Sequence, residues 1–241
     1  EVVGKLYVEK YFKKDSKEAM DKLVQNFFNL SVIEGALPSV LIGFATTVQV
    51  ALAVIAMGVA LGLALALLRL LERRLVDALI TAWIELFRTL PQLVIIIFLY
   101  FALPYGGIRM SPFAATAFAL GAVLSAFCAE IFSASIAALP KGQWEAARAL
   151  NLPTLRTLWL VILPQAVRLA TPLITNRVIA VTKGSALGVA VSLNDTLGAA
   201  QSYMAIVANP SPLMLAAALY LAFFIPLVTL SRYLERRMTP Y

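Results

Sequence analysis

Leu139-Pro140-Lys141-Gly142-Gln143-Trp144-Glu145-Ala146-Ala147-Arg148-Ala149-Leu150-Asn151-Leu152-Pro153, continued from Thr154 to Leu163-Pro164-Gln165-Ala166, is the stretch from which the rest of the chain is read. Pro140 and Gly142 punctuate its start, Pro153 its middle and Pro164 its end. That spacing predicts two short helices joined by a bend. Glu145 and Arg148 stand three residues apart on one helical face, where they can form a weak, solvated ion pair. A plain connection between apolar segments would be shorter and less structured.

Apolar runs flank this loop on both sides. A hydrocarbon core of about 30 Å needs about 20 apolar residues per helix. On that ruler the chain holds five spans, at roughly 37–68, 79–103, 112–138, 165–190 and 212–231. Composition agrees: 61% of residues are hydrophobic and 14% charged, with a mean hydropathy of +0.86, which is outside the range of soluble domains. The expected fold class is an all-α integral membrane protein of about five transmembrane helices, with membrane lipid as its solvent.

The net charge of +7 is spread between the apolar spans rather than gathered on one water-facing surface, so no nucleic-acid partner is expected. Cys128 is the single cysteine and histidine is absent. Intramolecular disulfides, cysteine-held metals, Ser-His-Asp and Cys-His catalysis and histidine proton relays all fall away. No metal site is expected, and no phosphate-binding Gly-x-x-x-x-Gly-Lys-Ser/Thr loop occurs.

Arg69, Arg73 and Arg74 follow the first span, Lys141, Arg148 and Arg156 lie between the third and fourth, and Arg232, Arg236 and Arg237 follow the fifth. The opposite connections carry Arg109 alone. Positive residues favour the cytoplasmic side, so the loop over 139–165 and the C-terminus are expected inside and the N-terminus outside. Residues 1–36 form a soluble-looking external segment with six lysines and six acids, too short to fold alone. Asp15 and Glu18 read as a helix-capping pair, and Ala19, Met20, Leu23, Val24, Phe27 and Phe28 recur on one face, as in an amphipathic helix lying on a membrane surface. The chain begins at Glu1 rather than Met, and nothing near it has the form of a signal peptide. Gly58, Gly62 and Ala66 line one face of the first span, where a neighbouring helix or a second subunit can approach closely.

The loop resembles the Glu-Ala-Ala motif of bacterial ABC importer permeases. There Glu-Ala-Ala is followed after three residues by Gly and, nine further on, by Ile-x-Leu-Pro. Glu145-Ala146-Ala147 and Leu163-Pro164 match at that spacing, Val161 replaces Ile, and Asn151 stands in place of Gly. Asn tolerates a left-handed helix end better than other residues with a β-carbon, so the bend survives. The likeness runs from about Phe27 to Met238 and narrows to permeases for polar amino acids. Phe87-Arg88-Thr89-Leu90-Pro91-Gln92-Leu93-Val94 is similar to that family's Phe-Arg-Gly-Thr-Pro-x-Leu-Val, and Ala129-Glu130-Ile131 to its Ala-Glu-Ile. Ser133 stands where an Arg is usual, which implies that a Glu130–Arg pair is missing. Asn176 and Lys183 match, Gly184 replaces the usual Asp or Ser, and Leu234-Glu235-Arg236-Arg237 matches the family's ending.

The resemblance implies a type I ABC importer permease, with residues 37–238 as the transmembrane domain and the loop as a cytoplasmic coupling-helix hairpin. Lys141, Gly142, Gln143, Trp144, Glu145, Ala146, Ala147, Arg148 and Asn151 would then meet the ATPase. It further implies two ATP-binding-cassette subunits that bind ATP and magnesium, a second permease subunit, an external solute-binding protein and an amino-acid substrate, in the cytoplasmic membrane of a bacterium. Translocation would proceed by alternating access, and this chain, binding no cofactor of its own, would not be an enzyme.

Charged groups deep in a membrane are costly and face cavities or partners. Asn176, Arg177 and Lys183 share the fourth span with Pro172, Gly184 and Gly188, which can free backbone groups to meet a polar solute. Arg88 and Gln92 flank Pro91 in the second span. These five are the expected substrate-pathway residues, while Glu130 and Arg168 lie near span ends where snorkelling explains them. An ion-coupled secondary transporter, with Glu130 as its carboxylate, is the alternative reading.

Overall fold

A computed structural model describes residues 18–238. The capping role expected of Asp15 lies outside them. Among the described residues the regular elements are helices: α1 (18–27), α2 (Leu30–Arg69), α3 (Arg74–Thr89), α4 (Gln92–Ile97), α5 (Pro112–Ala137), α6 (Lys141–Ala149), α7 (Thr154–Thr157), α8 (Leu163–Thr182), α9 (Thr196–Val207) and α10 (Ser211–Met238). Four helical stretches are long and apolar enough to cross a membrane: Glu18–Arg69, Pro112–Ala137, Thr154–Val191 and Ser211–Arg237. The bent pair Arg74–Thr89 and Gln92–Gly106 makes a fifth when counted as one span. The all-α membrane architecture expected from sequence is the one found.

The second span is where a length ruler misleads. Instead of one rod over 79–103, the chain turns through 106° between α3 and α4. Leu90 is extended, with φ −73° and ψ 135°. The ring of Pro91 excludes the α conformation from the residue before it, and Pro91 has no N–H to continue the ladder. Beyond α4 the helix loosens into a π-turn, Phe98–Ala102, and then a 3-10 turn, Leu103–Gly106.

The loop departs from the expected hairpin in the same way. Its second arm is no separate helix: α7 passes through a π-turn, Leu158–Ile162, straight into α8. Pro164 does not end that arm because it lies at the start of α8, directly after the π-turn Leu158–Ile162 has already loosened the α-helical ladder that its missing N–H would interrupt. The first span also starts earlier than 37, at Leu30, and its 40 residues make a helix of about 60 Å. The connection over 192–211, between the fourth and fifth spans, contains the helix α9.

Contacts divide the chain into two compact units, Glu1–Thr46 with Asn194–Ala222 and Thr47–Leu193 with Phe223–Tyr241. In the second, α5 is central. Leu120, Leu124 and Cys128 on it are fully buried, against Val50 and Val54 of α2, Ile95 and Ile96 of α4 and Ala170 of α8. Gly58 and Gly62 belong to this packing. A β-carbon at Gly58 would stand 2.7 Å from the Leu124 side chain, and one at Gly62 would meet Cys128. The small-residue face of α2 is thus used within the chain, for close helix approach of the kind that replaces the hydrophobic effect in lipid. Trp83 of α3 adds an indole N–H bond to Ser125 Oγ of α5 at 3.1 Å.

In the first unit Ala36 and Val40 of α2 pack with Ala199 and Ala200 of α9 and Ala216 of α10. The break between α1 and α2 is stitched by polar groups: Asn29 N–H donates to Ser211 Oγ at 3.0 Å, Ser211 Oγ to Asn26 O at 3.2 Å, and Asn209 Nδ2 to Gln25 O at 3.0 Å. Met20, Leu23, Val24 and Phe27 of α1 are exposed, the apolar face expected of a helix at a lipid surface.

Candidate functional site

The nine loop residues singled out by sequence divide between two faces of α6. Trp144 packs with Leu139, Leu158 and Val161 around Ile136, Ile162 and Ala166. Ala147 is buried. Gln143 Oε1 accepts from Gln165 Nε2 at 3.2 Å, and the same nitrogen donates to Val161 O at 2.7 Å. These three hold the helix to the ends of α5 and α8. Lys141, Gly142, Glu145, Ala146, Arg148 and Asn151 are exposed. The expected Glu145–Arg148 pair is not formed, since Arg148 Nε donates to Trp144 O at 3.3 Å. Glu145 therefore presents its charge outward.

Asn151 closes α6 in the left-handed region, at φ 58°. Its N–H donates to Arg148 O at 2.8 Å and that of Leu152 to Ala147 O at 3.0 Å, the two bonds of a Schellman end. The expectation that Asn151 preserves the bend is met. Replacing it by Val puts a β-branched side chain where the left-handed conformation costs about 1–2 kcal/mol. We expect Asn151→Val to lower the melting temperature and loosen protease protection of the loop, and Asn151→Gly to leave both at or above the parent values.

The substrate-pathway candidates do not form one constellation. Arg88, in the last turn of α3, reaches Glu130 of α5, Nη1 to Oε2 at 2.6 Å. Its guanidinium lies 5.4 Å from the centre of the Phe127 ring, and that of Arg177, from α8, lies 4.6 Å from the same ring. Two cations thus lie close to one aromatic ring, an arrangement stabilised by the ring quadrupole, and the first of them is held by a carboxylate. The resemblance implies that Glu130 has lost its arginine partner with Ser133; the structure supplies one in Arg88, by a pairing between helices that spacing along the chain cannot reveal.

Gln92, at the start of α4, lies against Gly184, where a β-carbon would collide with its Oε1. Lys183 and Gly184 open the 3-10 stretch Lys183–Val191, so the helix of the fourth span does loosen at the expected glycines. Lys183 Nζ stands 5.4 Å from the Phe224 ring. Asn176 Oδ1 accepts from Ser231 Oγ of α10 at 3.0 Å. The buried Ser185 Oγ has no hydrogen-bond partner among the described residues, an orphan polar group beside Gly184.

Sequence reasoning missed Phe127, Ser185, Ser231 and above all Asp195. Asp195 is fully buried, caps α9 by accepting from Gly198 N–H at 2.9 Å, and accepts from Tyr220 O–H at 3.0 Å. An acidic residue two before Leu197-Gly198 was the available signal, as a helix N-cap. Burial raises its pKa above the ordinary 3.8, against the lowering effect of its hydrogen bonds from Gly198, Tyr220 and Leu197. A raised folded-state value means that the native state holds the proton more tightly than the unfolded chain. The stability contribution is thus complete at low pH and lost as pH rises from the ordinary carboxylate range through the folded value. We expect Asp195→Asn to flatten the part of the melting-temperature profile that lies above the ordinary carboxylate range.

Residues 58–240 match the family of binding-protein-dependent transport system inner membrane components. The chain belongs to that family. The permease is 36% identical over 201 residues, 82% of this chain and 92% of the relative, to the probable glutamine ABC transporter permease protein GlnP of Bacillus subtilis. It is 30% identical to the arginine transport system permease protein ArtQ of the same organism, over 84% of this chain and 93% of that one. Among solved structures it is similar to an amino acid ABC transporter crystallised with histidines, with a TM-score of 0.78 and 29% identity over 86% of this chain and 97% of that chain. The inward-facing MetNI methionine ABC transporter, at 20% identity and a TM-score of 0.65, shares the fold over 85% of this chain and 96% of its own. As a membrane component of an ABC importer, the permease is a translocating subunit and not the catalytic one.

Proposed function

We propose that this permease carries a polar amino acid across the cytoplasmic membrane, driven by two partner ATPase subunits that dock on α6. The observation that carries the reading is α6 itself: a short helix held on one face by Gln143, Trp144 and Ala147, ended by a rigid Schellman turn, and offering Glu145 and Arg148 on the other. A rigid lever with an unpaired outward carboxylate suits a groove on a moving partner. The amino-acid class rests on the relatives named above. ATP and magnesium would bind in the partner subunits, with a second permease and an external solute-binding protein completing the importer. The pathway would run past Gln92, Gly184 and Lys183, and past Arg88 and Arg177 at Phe127, with Asn176 joined to Ser231 alongside.

Glu130 is already engaged by Arg88 at 2.6 Å, so the carboxylate that the ion-coupled alternative relies on serves to join α3 to α5. The test is direct. Cys128 is buried, so single cysteines at the exposed positions Asn194 and Ala146 report topology. Asn194→Cys should react with an impermeant thiol reagent from outside and Ala146→Cys only from the cytoplasm. The reconstituted complex should hydrolyse ATP faster when loaded binding protein is added, and the isolated chain should not hydrolyse it. The reverse labelling pattern would remove the ATPase contact from α6.

A further inference from the structure

We propose that a cleft behind α6 binds a phosphate group, carried by an anionic phospholipid or by a small phosphorylated solute. The cleft, of about 290 Å³, lies between the last turn of α2, the end of α5 and the start of α6. Its polar lining comes from Arg69, Ser133, Lys141 and Trp144, the rest is apolar, and no carboxylate lines it. Every charged or strongly polar group facing it is therefore a hydrogen-bond donor or a cation, apart from one hydroxyl that can do either.

Arg69 is held in place for this role. Its Nε donates to Asp77 Oδ1 and its Nη2 to Thr81 Oγ1, both at 2.9 Å, which leaves the Nη1 hydrogens unassigned. Lys141 is exposed at the mouth of the cleft and Trp144 half-buried in its wall. Ser133 Oγ is buried in the wall without a hydrogen-bond partner among the described residues, an uncommon state for a buried hydroxyl and one that a rotation towards a ligand would relieve. The first turn of α6, which starts at Lys141, has no side-chain cap, so its N–H groups add positive potential. Donors from three helices with no acceptor opposite exclude a metal cation and leave an ammonium group without a counterpart. A tetrahedral phosphate, with several acceptor oxygens, can use such converging donors together. The apolar remainder of the wall fits the carbon stem of a glycerophosphate.

The site does not depend on which solute the permease carries. Full-length permease with its ATPase subunits would be exchanged into phosphatidylglycerol or phosphatidylcholine and its retained lipid counted by native mass spectrometry. Binding of glycerol 3-phosphate would be titrated by calorimetry. Ser133→Leu fills the cleft and Lys141→Gln removes one cation. We expect the parent to retain phosphatidylglycerol over phosphatidylcholine by about tenfold and each variant to lower that preference about fivefold. If glycerol 3-phosphate binds and is lost in both variants while lipid retention is unchanged, the site stands and its ligand is soluble. Equal retention of both lipids with no glycerol 3-phosphate binding, or anion binding untouched by either variant, overturns the proposal.

Discussion

Replacing Glu130 by Leu should destabilise the permease by about 1 kcal/mol, because it leaves the guanidinium of Arg88 without its carboxylate. Arg88 and Arg177 would still share the Phe127 ring, and Arg88 would have lost the carboxylate it pairs with. The pair is partly open, with side-chain exposures of 35% for Arg88 and 49% for Glu130, so the effect falls below that of a fully buried pair. The double replacement Arg88→Leu/Glu130→Leu removes both charges and should recover more than half of the loss, since apolar substitutes for an ion pair are often close to neutral. Thermal unfolding in detergent measures all four corners of this cycle. A double variant as unstable as the sum of the singles would mean that the two side chains act independently. Uptake by the double variant separates stability from transport: if the ion pair serves only to hold α3 against α5, transport returns with stability, and if Arg88 also lines the pathway it does not.

Glu145→Lys should abolish coupling while leaving the permease in the membrane. Glu145 is exposed on α6 and Arg148 is engaged with the Trp144 carbonyl, so the isolated subunit has little use for the carboxylate. Glu and Lys have similar helix propensity, and α6 should persist. At an interface with the ATPase the reversal leaves a repelled or unpaired charge, which costs about 2–5 kcal/mol. Copurification of the ATPase, stimulated ATP hydrolysis and uptake should therefore fall together, each by at least about tenfold. Glu72→Lys, in the connection between α2 and α3, is the matched control and should do far less. Assembly and transport at the parental rate in Glu145→Lys would remove α6 as the coupling element.

The membrane class, the number of spans and the loop were legible because each depends on local signals. Apolar runs of about 20 residues announce helices in lipid whatever lies beside them, and the spacing of Glu145, Asn151 and Pro164 places α6 and its left-handed end. The break of the second span was also written in the chain, at Leu90-Pro91, but a hydropathy ruler passes over a single proline whereas backbone sterics do not. The continuity of α7 with α8 was misread for the complementary reason: proline interrupts an α-helical ladder, and the π-turn before Pro164 has already loosened it.

The site itself was only partly readable. Arg88, Gln92, Asn176, Arg177 and Lys183 were found as polar residues in apolar surroundings, a property each shows alone. Their partners were not found. Glu130 belongs to Arg88, 42 residues away in a different helix; Asn176 is joined to Ser231, and Gln92 to the space left by Gly184. Asp195 drew no notice in the sequence, yet it is buried, with a raised pKa and a hydrogen bond from Tyr220. By itself the sequence determined which segments are apolar enough for lipid and which loop carries the Glu-Ala-Ala pattern, because hydropathy, capping and proline chemistry act within a few residues. Only the tertiary structure decided which charges are paired, which face of α6 is left for a partner and where α2 uses its small residues, because those outcomes depend on distances between helices that no local spacing encodes.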